Sequence, residues 1–284
     1  MEFLFALVTA ICTAFAPAKV VDEIDVPIVM YHHLEEDESK LNEFMVTPEK
    51  FESDMGKIKE LGYETVSYQE LYDFVNHNGN LPEKPILVTF DDGYESNYTY
   101  AYPVLKRLNM KATIAVIGVM VGQDTYRGRQ AYPHFTYEQA KEMYDSGLMD
   151  IQTHTFDLHD ITRRVGVKML AGEDEETYSK LVKEDISKAA NEIKENVGNR
   201  QFVFTYPYGA YDDLTENIIR DLGFDITVTT DVGTNHIVRG DTESLLRLKR
   251  YDISNESDIE IVLTGRYKTI VNLRLLLTNS LILI

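Results

Sequence analysis

Residues 86–93, ILVTFDDG, decide the fold of this chain. The first five of them are apolar or β-branched, which predicts a short buried strand. Two carboxylates, Asp91 and Asp92, follow at the end of that strand, where their side chains diverge and can serve different purposes around one centre. An isolated Asp-Asp-Gly is more often a turn or a helix cap, because Asp and Gly favour such backbone conformations. The stretch therefore predicts a strand that ends either in a simple turn or in a pair of functional acids.

Strand-like runs of the same kind recur along the chain and alternate with helical patterns. They comprise residues 28–31, 112–117, 150–153, 202–205, 226–229 and 248–253. Several intervening helices have recognisable beginnings, such as Thr47 before Pro48 and the capping-box pair Ser67 and Glu70. Continuously apolar strands separated by helices are typical of a parallel sheet with helices on its outer face. We therefore predict an α/β fold, a distorted or incomplete (β/α) barrel, as a single domain over residues 19–264.

The composition indicates a globular protein with a strongly acidic surface. Of the 284 residues, 44% are hydrophobic and 26% are charged, which is sufficient for a packed core. The formal net charge of -19 repels phosphates and anionic lipid headgroups. A nucleic-acid partner is therefore a poor hypothesis, and a neutral or cationic glycan is an easier one.

Both ends of the chain are apolar. Residues 3–16 resemble the apolar core of a signal peptide, so residues 1–18 are predicted to be a signal peptide or an N-terminal anchor. This predicts a secreted or cell-envelope protein, outside the cytoplasm. Residues 265–284 form an apolar tail without an assigned role, and no stable membrane span is expected beyond the N-terminal segment. The sole cysteine, Cys12, lies in the first run, so the mature chain is expected to have no disulfide, thiolate metal site or cysteine nucleophile.

Polar side chains follow several predicted strands at the same relative position. They are His32 and His33, Asp91 and Asp92, His154, and residues 206–209 (YPYG). In a parallel β/α barrel the carboxyl ends of the strands share one rim, which is where active sites are built. We therefore expect four separate segments to converge at one place.

His154 and His159 are five residues apart, a spacing that places them together neither on a helix nor on a strand. The intervening residues can form a turn that brings both imidazoles to one ion. Two neutral imidazoles and one carboxylate form a divalent metal site with an open position for water. The alternative is that both histidines are structural or face the solvent. We favour the metal site because residues 91–92 are predicted on the same rim.

Taken in order, residues 89–93 (TFDDG) and 154–159 (HTFDLH) resemble the polysaccharide deacetylase family, carbohydrate esterase family 4, whose fold is the NodB homology domain. The resemblance extends from about Pro27 to about Ile253. Residues 30–33 (MYHH) make the chain more similar to the poly-N-acetylglucosamine deacetylase branch than to typical chitin deacetylases. The resemblance implies a NodB-like barrel. It also implies a hydrolase that releases acetate from N-acetylglucosamine residues of a cell-surface or extracellular polysaccharide.

The resemblance also implies a divalent metal, usually zinc, held by Asp92, His154 and His159, with Asp91 as the general base. Co²⁺, Ni²⁺ and Fe²⁺ are the other candidate ions. The backbone N–H of Tyr208 would hold the oxyanion, in the turn that begins with Pro207. The chain has no tryptophan, so a sugar ring would stack on tyrosine or phenylalanine, and Tyr94 and Tyr208 are the nearest to the predicted site.

The proton donor and the residue that orients the base depart from the usual family pattern. A late histidine motif is missing, and the branch that the chain resembles implies that a histidine of the early Tyr-His motif reaches the site instead. His32 is therefore predicted as the general acid, with His33 and His236 as alternatives. The arginine expected before the Pro-Tyr step is also missing, and Arg250 is predicted to replace it, with Arg247 as second choice. A surface salt bridge is an equally good interpretation of either arginine.

Two other functions remain open from the sequence alone. One is a catalytically silent glycan-binding barrel, since a fold can outlive its activity. The other is a glycoside hydrolase with paired carboxylates and no metal. The candidate glycans for the deacetylase are peptidoglycan, poly-N-acetylglucosamine and a chitin-like oligomer.

Overall fold

The structure, a computed structural model, describes residues 22–265. The predicted signal segment, residues 1–18, lies outside the described residues, and so does the apolar tail apart from its first residue. The strands are β1 Glu23–Val26, β2 Ile28–Tyr31, β3 His33–Leu34, β4 Met45–Val46, β5 Glu64–Thr65, β6 Pro85–Phe90, β7 Ala112–Ile117, β8 Thr125–Tyr126, β9 Arg129–Gln130, β10 Met149–Thr155, β11 Val203–Thr205, β12 Ile226–Val228, β13 Asn235–Val238 and β14 Tyr251–Asp252. The α-helices are α1 Pro48–Glu60, α2 Tyr68–Asn76, α3 Tyr102–Leu108, α4 Tyr137–Asp145, α5 Glu175–Asn196, α6 Asp213–Asp221 and α7 Ile259–Leu263.

The main sheet is parallel and curls toward a barrel. Its strand order is β12-β11-β10-β7-β6-β2-β14, and β5 pairs with the beginning of β6. Leu248, shortly before β14, makes a parallel bridge to Val228 at the other edge of the sheet. Residues 248–252 thereby join the two edges, and the predicted α/β fold with a distorted barrel is confirmed.

The sheet is buried on both faces, as its apolar sequence predicts. Every residue of β6, β7 and β2 is buried. The helices cover the outer face, and the two predicted helix beginnings are correct. The Thr47 side chain accepts a hydrogen bond from the Lys50 N–H, and Ser67 and Glu70 form a reciprocal capping box.

The last strand is shorter than the predicted run of residues 248–253. After Leu248 pairs with β12, the Lys249 N–H donates to the Asn235 side chain and the Arg250 N–H donates to the Asp231 carbonyl. The chain therefore leaves β12 after Leu248 and pairs with β2 only from Tyr251 onward, at β14. This change of partner places Arg250 between the segment that pairs with β12 and the strand that pairs with β2, and its side chain is buried there.

Small antiparallel pairs, which the sequence does not predict, flank the barrel. Strand β1 pairs with β13 beside the beginning of β2, and β8 and β9 form a hairpin in the loop after β7. Among residues 22–265, none of the helices combines the length and the apolarity that crossing a membrane requires.

Candidate active site

The predicted polar residues converge at the carboxyl ends of the strands. His32 follows β2, the acids Asp91 and Asp92 follow β6, and the turn that begins with Pro207 follows β11. Asp92 has a left-handed backbone with φ of 73°, which Asp adopts more readily than most residues. This turn sends the two adjacent carboxylates to different partners.

His154 lies inside β10 rather than after it, because that strand continues to Thr155. The pairing of β10 with β7 is regular up to Thr153 and then shifts its register. A β-bulge of this kind re-aims a side chain. Here the bulge lies at the predicted ligand, whose ring is buried against the end of β11.

Asp92, His154 and His159 form a compact set of metal-ligand donors. One donor atom from each lies within 4.8 Å of the other two. The Nε2 atoms of His154 and His159 are 3.7 Å and 3.4 Å from Oδ1 of Asp92. That oxygen is buried and has no hydrogen-bond partner among the described residues. A buried carboxylate oxygen without a partner is costly unless a cation satisfies it, so the donor set fits a divalent metal.

The two imidazoles present the correct nitrogen to this centre. Nδ1 of His154 lies 2.6 Å from the Thr205 carbonyl, which can only accept, so Nδ1 carries the proton and Nε2 is left with a lone pair. Burial lowers the pKa of His154 to about 4, so the ring is neutral at pH 7. On His159, Nδ1 lies 3.2 Å from the Tyr208 hydroxyl. Such outer partners fix ring orientation at metal centres.

Asp91 is not part of the metal-ligand set and forms a buried pair with Arg250. Two nitrogens of the guanidinium each lie 2.7 Å from one carboxylate oxygen, and the Arg250 Nε donates to the Thr229 carbonyl. Burial alone would raise the pKa of Asp91, but Arg250 holds it well below its ordinary value. Arg250, rather than Arg247, therefore contacts Asp91, and it keeps this acid ionised and fixed in orientation.

Of the three candidate proton donors, only His32 faces the site. Its Nδ1 is buried without a hydrogen-bond partner among the described residues and lies 3.9 Å from Oδ1 of Asp252. A positive charge on the His32 ring contributes to lowering the pKa of both Asp91 and Asp92. The side chain of Asn97, in a π-helical turn, donates to the His32 carbonyl at 2.7 Å.

His33 and His236 have other surroundings. Nδ1 of His33 is 2.9 Å from the Ser96 hydroxyl, and its ring packs against Tyr94 and Tyr132. Burial lowers the pKa of His33 to about 4, which makes it a poor proton donor at neutral pH. His236 is exposed on β13 and bonds to Asp25, which precedes β2. It therefore lies beside the amino-terminal ends of the strands, away from the site.

The turn after β11 brings Tyr208 to the metal-ligand set. Its ring packs on His159 at 4.5 Å between centroids, and its backbone is left-handed with φ of 57°. Pro207 is buried, and its carbonyl oxygen would lie 2.4 Å from a Cβ placed on Gly166. Glycine at 166 therefore lets the loop after His159 pack closely on this turn. Left-handed backbone at a bulky residue is strained and often lies at functional sites.

A cavity of about 230 Å³ adjoins the centre, and part of its wall was not predicted. Its lining includes Asp92, Tyr94, Tyr126, Tyr132, His134 and His159. Tyr94, the predicted aromatic, forms a bridge with His134, whose Nδ1 donates to the Tyr132 carbonyl. The wall residues 126–134 belong to an irregular loop and its hairpin, which carry no periodic pattern from which their position could be inferred.

Comparison with known proteins agrees with this geometry. A family model described as polysaccharide deacetylase matches residues 78–227. YxkH from Bacillus subtilis (strain 168) is 33% identical over 208 residues, which make up 73% of this chain and 65% of that protein. The poly-beta-1,6-N-acetyl-D-glucosamine N-deacetylase of Staphylococcus aureus (strain MSSA476) is 27% identical over 186 residues, 65% of this chain and 60% of that protein. The chain thus spans slightly less than two thirds of the length of these two relatives.

A solved structure shows the same fold. IcaB from Ammonifex degensii superposes with a TM-score of 0.71 and 28% sequence identity, covering 86% of this chain and 97% of that one. The resemblance inferred from residues 89–93 and 154–159 is therefore confirmed. The chain belongs to the polysaccharide deacetylase family.

Proposed function

We propose that this protein is a metal-dependent deacetylase that hydrolyses the N-acetyl group of N-acetylglucosamine residues in a polysaccharide and releases acetate. One observation carries the proposal. The two acids of a single turn are separated, so that Asp92 faces His154 and His159 while Asp91 is held by Arg250. A metal-ligand set beside an independent, oriented carboxylate is the arrangement that metal-assisted amide hydrolysis requires.

The substrate proposal follows the relatives. The Staphylococcus aureus relative is named for poly-beta-1,6-N-acetyl-D-glucosamine, and residues 30–33 point to the same branch. Poly-N-acetylglucosamine is therefore our first candidate, ahead of peptidoglycan and a chitin-like oligomer. The apolar run of residues 3–16 supports a location outside the cytoplasm, where such a polymer is found.

Asp92, His154 and His159 would hold the metal, and zinc is our first choice because its sites commonly combine imidazole with carboxylate. When bound there, a divalent ion polarises the amide carbonyl and makes water more acidic. Asp91 accepts the proton of the attacking water as the new C–O bond forms. The Arg250 guanidinium keeps that carboxylate ionised and pointed in one direction.

The remaining steps concern the oxyanion and the leaving amine. The Tyr208 N–H stabilises the negative oxygen that forms on the former carbonyl; as an early residue of a short 3₁₀ turn, it lacks a partner inside that turn. His32 then gives a proton to the sugar nitrogen as the C–N bond breaks. Acetate and the free amino sugar are the products. Both His32 and Arg250 lie outside the residues that the family model matches, so their proposed roles rest on the geometry and on the sequence motifs described above.

The cavity beside the centre suits a small acyl group. Ile117 and Met120 contribute apolar surface, and Tyr126 and Tyr132 form aromatic walls. A methyl group can enter an apolar space of about 230 Å³ next to Asp92. Tyr94 lines the same cavity, and we propose that it contacts the sugar that carries this group.

The test is acetate release by purified protein of known metal content on poly-N-acetylglucosamine, peptidoglycan and a chitin oligomer, side by side. We expect release on the first polymer, its loss after chelation, and its return with Zn²⁺. Glycan binding without acetate release would support a silent binding barrel. Chelator-insensitive release of reducing ends would instead indicate a glycoside hydrolase.

A further inference from the structure

The turn between His154 and His159 is held by an aspartate from a distant helix. Oδ1 of Asp185 accepts the Phe156 N–H and Oδ2 accepts the Asp157 N–H, each at 2.8 Å. Asp185 lies on α5 and is half-buried. Both carboxylate oxygens are thus used on two consecutive amides of the turn that returns the chain to the metal-ligand set.

Helix α5 is a rigid support for this contact. Its buried stripe follows helical spacing and consists of Tyr178, Val182, Ile186, Ala189 and Ile193. The stripe packs α5 on the barrel, mainly beside β10. Asp185 directly precedes Ile186, which belongs to this stripe. The packing of the helix therefore sets the position of the Asp185 carboxylate.

The rest of the turn is enclosed on several sides. The Phe156 carbonyl accepts the Val119 N–H at 2.9 Å. Lys188, one turn after Asp185, places Nζ 3.4 Å from the centre of the Phe156 ring. A Cβ on Gly118 would lie 2.8 Å from Cδ2 of that ring. Phe156 is therefore fixed by main-chain and side-chain contacts, in which Asp185 holds its N–H and Lys188 covers its ring.

We propose that Asp185 is a positioning residue of the metal centre, which fixes the turn of residues 155–158 so that His159 meets His154 and Asp92 before any ion binds. The inference rests on the proposed function, since it assumes that these three side chains hold a metal. A spacing of five residues does not bring two imidazoles together by itself. Without a fixed turn, binding an ion would also have to order the loop, which costs backbone entropy.

Direct measurement of Zn²⁺ affinity tests this proposal. Dissociation constants for wild type, Asp185→Asn and Asp185→Ala are compared at neutral pH by competition with a chromophoric chelator. Asn offers one accepting oxygen and turns an NH₂ group toward the second amide, so one of the two bonds is lost. We expect both variants to bind Zn²⁺ about 10- to 100-fold more weakly, the range found for outer-sphere partners of metal ligands.

Asp174→Ala is the matched control. Asp174 is the N-cap of the same helix and also accepts a backbone N–H, from Thr177 at 2.9 Å, but it does not contact the turn. This variant should lower the stability of α5 and leave the Zn²⁺ affinity unchanged. If Asp185→Ala does not fold, the isosteric Asp185→Asn still decides the question.

The outcomes separate the two proposals. Wild type that fails to bind Zn²⁺ contradicts the proposed function. Wild type that binds while Asp185→Asn binds equally well overturns the positioning role alone. Equal weakening in Asp185→Asn and Asp174→Ala also overturns it, because the effect would then come from general loss of helix stability. Faster amide hydrogen exchange at Phe156 and Asp157 in metal-free Asp185→Asn is the expected spectroscopic counterpart.

Discussion

Arg250 meets both carboxylate oxygens of Asp91 at 2.7 Å, although the two residues are 159 positions apart in the chain. The pair is buried, and the Arg250 Nε is further fixed by the Thr229 carbonyl. A bidentate contact sets the plane of the carboxylate as well as its charge. The general base that we propose is therefore oriented by the residue that immediately precedes the last strand of the barrel.

Arg250→Lys should lower kcat/KM for deacetylation by about 10²-fold, because an ammonium cannot reproduce the bidentate contact and small displacements at a reacting group are costly. Zn²⁺ content should not change, since Asp92 and the histidines do not contact Arg250. Steady-state kinetics with metal analysis checks this. Arg247→Lys is the control and should retain wild-type rates; equal losses in both would refute the orienting role.

Arg250→Ala should be far more damaging to stability. It leaves Asp91 buried without its counter-charge, and breaking a buried pair in this way costs about 3–5 kcal/mol. Chemical denaturation of metal-free protein measures the difference. A loss below about 1 kcal/mol would indicate a solvent-screened pair.

His32→Ala should reduce kcat by about 10²- to 10⁴-fold, the usual contribution of a positioned acid, and should leave the metal content unchanged. His236→Ala is the control and should behave as wild type, because His236 is exposed beside the opposite ends of the strands. Kinetics on one defined glycan are sufficient. An unchanged rate in His32→Ala would instead point to His33.

Asp91→Asn and His154→Ala should fail in different ways. The first should retain Zn²⁺ and lose turnover, because it removes the proton acceptor and keeps all three metal ligands. The second should lose Zn²⁺ as well. Metal analysis beside an acetate assay distinguishes them, and near-normal turnover in metal-loaded Asp91→Asn would show that the base is another group.

The stability of metal-free protein relative to Asp185→Asn should fall as the pH rises. Burial raises the pKa of Asp185 to about 6, above its ordinary value of 3.8, so the folded protein binds this proton more tightly than the unfolded chain does. The stabilisation is complete below about pH 4 and is lost as the pH rises through about 6, a change of about 3 kcal/mol. Denaturation at several pH values, with chelator present, checks this. A pH-independent difference would contradict it.

The barrel was predictable from local patterns, and so was the convergence of the polar residues at its rim; the choice of Asp92, His154 and His159 as metal ligands came from the family resemblance. Apolar strands separated by capped helices imply the parallel sheet, and the shared rim then brings residues 91–92 together with His154. The sequence favoured Arg250 over Arg247 but left a surface salt bridge as an equally good interpretation of either arginine. Which arginine contacts Asp91 depends on the residue at which the last segment leaves β12, which is set by main-chain bonds to Asp231 and Asn235.

Asp185 and the cavity wall escaped prediction for another reason. In the sequence, Asp185 is one of many charged residues on a long helix, and such residues are usually solvated. Its partners are backbone amides 28 and 29 positions away. Every residue except proline has a backbone N–H, so the sequence does not indicate which amides Asp185 binds. Tyr132 and His134 lie in irregular loop, where no period indicates which side chains point inward.

The pairing of β14 with β2 has a consequence for how the enzyme would become active. This junction, where the beginning and the end of the barrel meet, carries His32 on one side and Arg250 on the other. The proposed metal ligands all come from the middle of the chain, between residues 92 and 159. A molecule in which β14 had not yet paired with β2 could therefore bind its metal ion and still be inactive. Proton transfer would depend on this last pairing of the barrel, which brings His32 and Arg250 to the site.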